Sequence, residues 1–436
     1  MDEATFDFST SPADDINKVS ECVQEKLAEA KANISDTGFV RLSKIIQEHI
    51  DAFGYSIGGC SLSDLTPLDV QLKPGAVPCV AKARHLGPAQ TEYLKERLGM
   101  LEQLGILTRI KDSNWSSAVF VVPKPGSPGK FRMVIDLRPL NSRVLPTALP
   151  MPNLEAQFLY LKGATCFGIF DILSGFDLLR CTKEASQYFV IATVYGLFRL
   201  NCCPQGFCNS GQIFHHRMVD EVLGDLWQSH VIQWLDDSLL FASTEAQYLD
   251  ALEVFLQRVK SKKLKLSVTK CTFFAHKVEF CGREIHFHDG KLQLDFAARF
   301  YQSLLDIGVP TTASELAQAI YMCNWLSPAL YNLAAIIYPF RLMLDSIHKA
   351  RGTKKNRGLV GTSLATFGWS AEHTAAWKTL LNSIVSRVKC TTYDPGKELC
   401  LFTDASNTHF AAVITQCTSE SLSPPLITKH TNRCFS

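Results

Sequence analysis

Apolar residues change their spacing several times along this chain, and each change predicts an element. From Asp14 to Phe53, the residues Ile16, Val19, Val23 and Leu27, then Leu42, Ile45, Ile46 and Ile50, recur at helical spacing. Two amphipathic helices separated near Ser35-Asp36-Thr37-Gly38 are expected there. Leu68-Asp69-Val70-Gln71-Leu72 predicts a short strand before the turn Lys73-Pro74-Gly75, and Leu94 to Ile106 an amphipathic helix closing at Gly105. Val119 to Val122 and Phe131 to Asp136 are strand-like runs joined by a Pro/Gly-rich loop, Pro123 to Lys130. Phe167 to Leu173 is an apolar strand, and Leu200 to Phe214 is a loop leading into a helix that continues past Met218 and Val222. In Val231-Ile232-Gln233-Trp234-Leu235-Asp236-Asp237-Ser238-Leu239-Leu240-Phe241-Ala242, two apolar runs flank two acids, which predicts a β-hairpin with the acidic pair at its turn. Leu304 to Leu344 returns to a helical pattern.

The polar exceptions within these runs carry the candidate chemistry. The turn at Asp236-Asp237 has no Gly or Asn, so ordinary hairpin preferences do not explain it. Adjacent carboxylates repel, and a hard divalent cation relieves that repulsion. Taken alone, the pair reads more simply as a solvated acidic turn. Asp171 changes the weighing, because an acid inside an apolar strand costs several kcal/mol unless it is compensated. Asp171 and the Asp236-Asp237 pair can lie on neighbouring strands of one sheet and bind metal jointly. The loop with Lys124 and the strand residue Arg132 can meet a triphosphate, although that segment alone reads equally as a solvated hairpin. Asp36-Thr37-Gly38 matches the catalytic triplet of retroviral-type aspartic proteases, but helical patterns flank it and it reads as a helix boundary.

Composition narrows the class. The chain has 436 residues, 46% hydrophobic and 20% charged, enough for two to four compact units with a sizeable core. Net charge is +2, but residues 1–60 hold eleven acids against five bases, so the remainder carries +8 and a mild bias toward polyanionic partners. The 15 cysteines are scattered without a C-x-x-C pair, and Cys202, Cys203 and Cys208 have no zinc-knuckle continuation. They read as reduced thiols of an intracellular protein. No secretory signal opens the chain, and Ala329 to Phe340 is too short to span a bilayer, so no membrane partner is expected.

Taken in order, these segments resemble a reverse transcriptase, specifically the polymerase region of a gypsy-type LTR-retrotransposon polyprotein. Phe170-Asp171 with Ser174-Gly175-Phe176 is similar to the first catalytic strand. Pro204-Gln205-Gly206-Phe207 with Asn209-Ser210 resembles the template and nucleotide loop, and Trp234-Leu235-Asp236-Asp237 the Tyr-x-Asp-Asp box. Ser116-Ser117, Lys124, Arg132, Asp136, Arg138 and Asn141 resemble the fingers motif. Lys270-Cys271-Thr272-Phe273 and Phe280-Cys281-Gly282 resemble the palm end and primer-grip turn. The likeness is strong over roughly residues 65–290 and weaker to about 416, and an ordered set is far more specific than any one motif. Trp234 stands where Tyr is usual, Gly211 where Pro is usual, and Asp177-Leu178-Leu179 where His-Gln-Ile is usual, which would add an acid near the metal site.

The resemblance implies an α+β right-hand polymerase: an acidic helical segment at 1–60, fingers at 61–160, palm at 161–285 and thumb at 286–350. A basic linker, connection and incomplete RNase H-like start would follow at 351–436. It implies RNA-directed DNA synthesis with Asp171, Asp236 and Asp237 as catalytic metal ligands for two Mg2+ ions, Mn2+ being an alternative. Lys124, Arg132, Phe176 and Gln205 would bind the nucleotide, with Phe176 excluding a ribose 2′-hydroxyl, and Phe280 and Gly282 would grip the primer. Partners would be an RNA or DNA template with primer and deoxynucleoside triphosphates, with a homodimer one further arrangement. Arg258, Lys260, Lys262, Lys263 and Lys265 are candidates for tracking phosphates, although a solvated helix face accounts for them more simply. Asp404 resembles the first RNase H metal acid, but the others are missing before Ser436, so no RNase H activity is expected and the chain reads as a fragment of an element. Cytoplasmic, particle-associated or nuclear placement follows from the family alone. The competing reading is a catalytically inactive retrotransposon remnant that only binds primer–template or RNA.

Overall fold

In the computed structural model, the described residues are 12–124, 127, 129–288, 291–330, 333–352, 359–385, 390–391, 396–405 and 410–417. The chain divides into two compact units, one of residues 1–292 and 296–298, the other of 293–295 and 299–436.

The first unit is built on a four-stranded antiparallel sheet. Its strand order is Thr272–Ala275, Cys166–Asp171, Asp237–Ala242, Val231–Trp234. These strands are short and apolar because both faces are covered. Phe167, Phe170, Ile232, Leu239, Leu240 and Phe273 are each buried. Helix Glu245–Ser261, capped by Thr244 Oγ1 on the Gln247 amide, packs against strand Asp237–Ala242. Helix Pro12–Lys31 packs against strand Thr272–Ala275, and helix Asp36–Glu48 against helix Glu245–Ser261. The acidic segment thus shares the hydrophobic core of the sheet, through Val19, Val23, Leu27, Leu42, Ile45 and Ile46.

Two glycines set the close approaches. At Gly168, in the central strand, an added Cβ would lie 1.9 Å from Tyr248 Oη, which donates to Phe273 O at 2.6 Å. At Gly38, one would lie 2.6 Å from Glu245 Oε2. Asp36-Thr37-Gly38 forms the first turn of its helix, capped by Ser35, as the helix-boundary reading expects, except that Gly38 lies inside the helix instead of ending one.

The basic run after Gln257 is partly exposed, as a solvated helix face would be, and most of its charges meet acids on other segments. Arg258 pairs with Asp225 at 2.6 Å, Lys260 with Asp51 at 2.8 Å, Lys262 with Glu221 at 3.3 Å and Lys263 with Asp64 at 2.9 Å. Lys265 donates to Asp51 O. These pairs link the run to residues 51–64 and 221–225. Screening keeps each exposed pair small, about 0–1 kcal/mol.

A second, five-stranded sheet runs in the order Leu107–Ile110, Gly196–Leu200, Val190–Thr193, Ser117–Pro123, Phe131–Ile135. Its hairpin pairs Val122 with Arg132, as the sequence pattern predicts. The helix expected from Leu94 instead starts at Pro88, whose fixed φ suits a first helical position, and ends at Gln103. Residues 68–72 form no continuous strand. Leu68 bridges to Cys181 at one end and Leu72 to Val144 at the other, so the run is shared between two neighbours. The helix Ser210–Arg217 widens into a π-helical turn over Met218–Leu223.

The second unit contains helices Ala313–Trp325, Leu333–Arg351 and Ala371–Val385, the first with a Thr312/Glu315 capping box. Phe340 stacks on Trp369 at 5.8 Å and meets Trp377 edge-on at 5.7 Å. A hairpin pairs Glu398–Ala405 with Phe410–Cys417, which puts the backbone of Asp404 opposite Ala411. Most of the basic linker, residues 353–358, lies outside the described residues, as does the Asp404 side chain.

Gly168→Ala should cost about 1–3 kcal/mol of stability through overpacking against Tyr248. Urea unfolding of the chain measures it; an unchanged midpoint would contradict the packing described.

Candidate active site

The central sheet brings the three sequence-predicted acids together. Strands Cys166–Asp171 and Asp237–Ala242 pair so that Asp171 lies directly opposite Asp237. The hairpin closes through Leu235 and Asp236, with Trp234 opposite Asp237. Ile172 N donates to Asp236 O at 2.9 Å, which ties the turn to the end of the Asp171 strand. Asp171 is only 8% exposed, and Asp236 and Asp237 are half-buried.

The turn is strained. Leu235 has φ of 57°, while Asp236 is not among the positive-φ residues, the pattern of a two-residue turn that normally places Gly first. A non-glycine residue held there costs on the order of 1–3 kcal/mol. Gly211 accounts for part of the accommodation, because a Cβ there would lie 3.1 Å from Leu235 Cδ2. The Gly at that loop position therefore matches the Leu in this turn.

Burial and mutual repulsion dominate the electrostatics. Burial raises the Asp171 carboxyl, opposed by Lys270, whose Nζ lies 3.0 and 3.1 Å from its two oxygens. Burial, then the Asp171 charge, raises Asp236. Burial, then the charges of Asp236 and Asp171, push Asp237 up to about 7. Lys270 supplies positive charge here that sequence reading took only as part of a motif. Among the described residues, no group of three or more His, Cys, Asp or Glu side chains is arranged to hold a metal ion by itself. An open set of hard carboxylate oxygens is nonetheless what Mg2+ accepts, with substrate oxygens and water completing its shell. The donor set fits such an ion.

The other predicted residues lie on separate elements of the same unit. Lys124, which is half-buried, follows strand Ser117–Pro123, and its amide donates to Lys130 O at 2.8 Å; Arg132 is exposed on the partner strand. Phe176 lies in the helical turn Gly175–Leu178, its ring 5.2 Å from that of Phe214. Gly175 permits this, since a Cβ would lie 2.4 Å from Phe214 Cζ. Gln205 is exposed in a loop held by Asn141, whose Nδ2 donates to Gly206 O at 2.9 Å while its Oδ1 accepts from Cys208 N at 3.1 Å. Phe280 is buried edge-on to Phe158, and Cys281 and Gly282, both at positive φ, turn the chain between strands Lys277–Phe280 and Arg283–His288. Burial raises the Cys281 thiol, with Asp237 and Asp236 next among the causes, so this turn feels the acidic site. The charge of Asp177 acts on half-buried Arg97 and on Cys202 and Cys203.

The family model for reverse transcriptase (RNA-dependent DNA polymerase) matches residues 122–285, which hold every one of these positions except Asp404. Residues 122–285 therefore carry a reverse transcriptase-like segment. The Transposon Tf2-3 and Tf2-7 polyproteins of Schizosaccharomyces pombe (strain 972 / ATCC 24843) are each 24% identical to the chain over 331 residues. Those residues cover 76% of this chain and 23% of either relative, so the match spans under a quarter of the polyproteins' length. The foamy viral protease-reverse transcriptase in complex with dsDNA shares the fold at TM-score 0.75 and 19% identity, over 95% of this chain and 85% of that one. The same viral protein in complex with an RNA/DNA hybrid gives TM-score 0.73 at 18% identity, over 94% and 55%. The segment matched by the family model thus sits within a mixed α+β architecture shared with these structures. None of these matches bears out the RNase H-like start.

The raised carboxyls give a signed pH prediction. A carboxyl whose folded pKa is raised stabilises the fold fully below its unfolded pKa, and that contribution is lost as pH rises through the folded value. Asp237→Asn should therefore melt higher than wild type above pH about 7 in the metal-free protein, with the difference vanishing toward pH 3.8 and below. Paired melting curves across that range measure it; a difference that grows on acidification would contradict the assignment.

Proposed function

We propose that the chain is an RNA-directed DNA polymerase that extends a primer on an RNA or DNA template by phosphoryl transfer from a deoxynucleoside triphosphate. The observation that carries the proposal is the register of Asp171 opposite Asp237 with Asp236 at the adjoining turn. Three acids spread over 67 residues of sequence meet on one edge of a sheet, inside the segment matched by the reverse transcriptase family.

In this reading Asp171 and Asp236 hold both of two Mg2+ ions, and Asp237 supports the primer side. Bound there, the ions supply charge stabilisation to the attacking and leaving oxygens. The chain's own residues do the remainder. Lys124 and Arg132, on a hairpin of the second sheet, neutralise the triphosphate. Phe176, backed by Phe214, lies under the sugar and excludes a 2′-hydroxyl. Asn141 fixes the backbone of the loop so that Gln205 faces the incoming nucleotide or its template base. The turn at Phe280 and Gly282, close enough for the acids to influence Cys281, holds the primer terminus. Base pairing reads the template, so the protein recognises backbone and shape. Residues 61–160, 161–285 and 286–350 serve as fingers, palm and thumb.

Primer extension on an RNA template with deoxynucleotides and Mg2+ tests the proposal. Asp236→Asn should abolish extension while leaving primer–template binding, and Phe176→Ala should raise ribonucleotide incorporation by about ten-fold or more. Primer–template binding without extension by the wild-type chain would instead support an inactive nucleic-acid-binding remnant.

A further inference from the structure

Behind the acidic turn lies a buried polar cluster that nothing in the phosphoryl-transfer scheme uses. Gln233 and Ser238 are cross-strand partners on the two arms of the hairpin, and both are fully buried. Gln233 Nε2 donates to Leu235 O at 2.7 Å, and Ser238 Oγ donates to Gln233 Oε1 at 2.6 Å. From the helical turn Leu154–Gln157, the buried Gln157 donates through Nε2 to Gln233 O at 3.3 Å. A polar pair in an otherwise apolar strand core is costly to desolvate unless its hydrogen bonds are made. Here both side-chain bonds of Gln233 are directed at the hairpin itself.

We propose that Gln233, anchored by Ser238 and Gln157, is a positioning brace that holds Leu235 at positive φ and thereby fixes the Asp236 carboxylate beside Asp171. The argument rests on the strain. Leu235 occupies a conformation that L side chains rarely adopt, and such a residue persists only where its surroundings over-determine it. The acceptor of the Gln233 amide is the carbonyl of Leu235, the peptide that joins the strained residue to Asp236. On the other side, Ile172 N holds the Asp236 carbonyl. The peptide groups on both sides of Asp236 are therefore clamped, one by a side chain and one by the Asp171 strand. Ser238 fixes which end of the Gln233 amide faces the turn, because its hydroxyl donates to Oε1 and leaves Nε2 to donate to Leu235 O. Gln233 touches no substrate, so its role is positional.

The inference rests on the polymerase reading for its consequence in catalysis, but the brace has a readout of its own. In the full chain, Gln233→Leu should speed amide hydrogen exchange in residues 231–242 by about ten-fold while leaving helix Glu245–Ser261 unchanged. Acceleration across both segments alike, or none, would overturn the brace. Should Gln233→Leu fail to fold, Ser238→Ala removes only the anchor and should show the same local pattern at smaller amplitude. In single-turnover extension, Gln233→Leu should lower the maximal rate by about ten-fold with primer–template affinity unchanged. The same substitution made on Leu235→Gly should cost less than about three-fold, because glycine takes positive φ without restraint. Equal costs in both backgrounds would overturn the link to Leu235. A wild-type chain that does not extend primers would defeat the polymerase reading, and the exchange result would still decide the brace.

Discussion

Repulsion among three carboxylates at one sheet edge is the constraint on which the rest of this structure depends. Burial raises the carboxyls of Asp171, Asp236 and Asp237, and the Asp171 charge adds to this at Asp236, as do the Asp236 and Asp171 charges at Asp237. A fold left to itself would disperse them. What prevents that is the antiparallel register of the two strands, which fixes Asp171 opposite Asp237, and a turn held in a conformation its own residues do not prefer. Register in a sheet buried on both faces is strongly specified, because a slip by one residue would move every side chain to the opposite face and break the packing on both.

The surrounding elements are best understood as support for that arrangement. Tyr248 reaches under the central strand through the space left by Gly168 and bonds the neighbouring strand at Phe273. The first two helices share the core behind the sheet, and five basic residues are spent on tying loops to its back. Lys270 gives Asp171 a counter-charge within the chain. The loop that carries Gln205 and the turn at Cys281-Gly282 are fixed by side chains from other segments, Asn141 and Phe158 among them.

Much of this was legible in the sequence because it is written in local pattern. The hairpin around Asp236-Asp237, the acid in the Phe167 to Asp171 run and the two opening helices all follow from apolar spacing. Contacts between distant segments were not legible. The ion pairs of Arg258 to Lys263 depend on which loops come to lie beside them, so the run looked like a phosphate track or a solvated face. The charge of Asp177 on Arg97, across 80 residues of sequence, was equally hidden. The split pairing of Leu68 and Leu72 has no local signature either. Gln233 did leave a trace, as a polar residue in an apolar run, but its partner Ser238 is meaningful only once the strands are paired.

The most direct test of the central claim is Mn2+ binding to the full chain, followed by the electron paramagnetic resonance signal of the free ion. Saturable binding that weakens by about ten-fold or more in both Asp171→Asn and Asp236→Asn is the result predicted for carboxylates held together to share a cation. Binding that is absent in wild type, or equally strong in both variants, would contradict the claim that this edge of the sheet is a metal site.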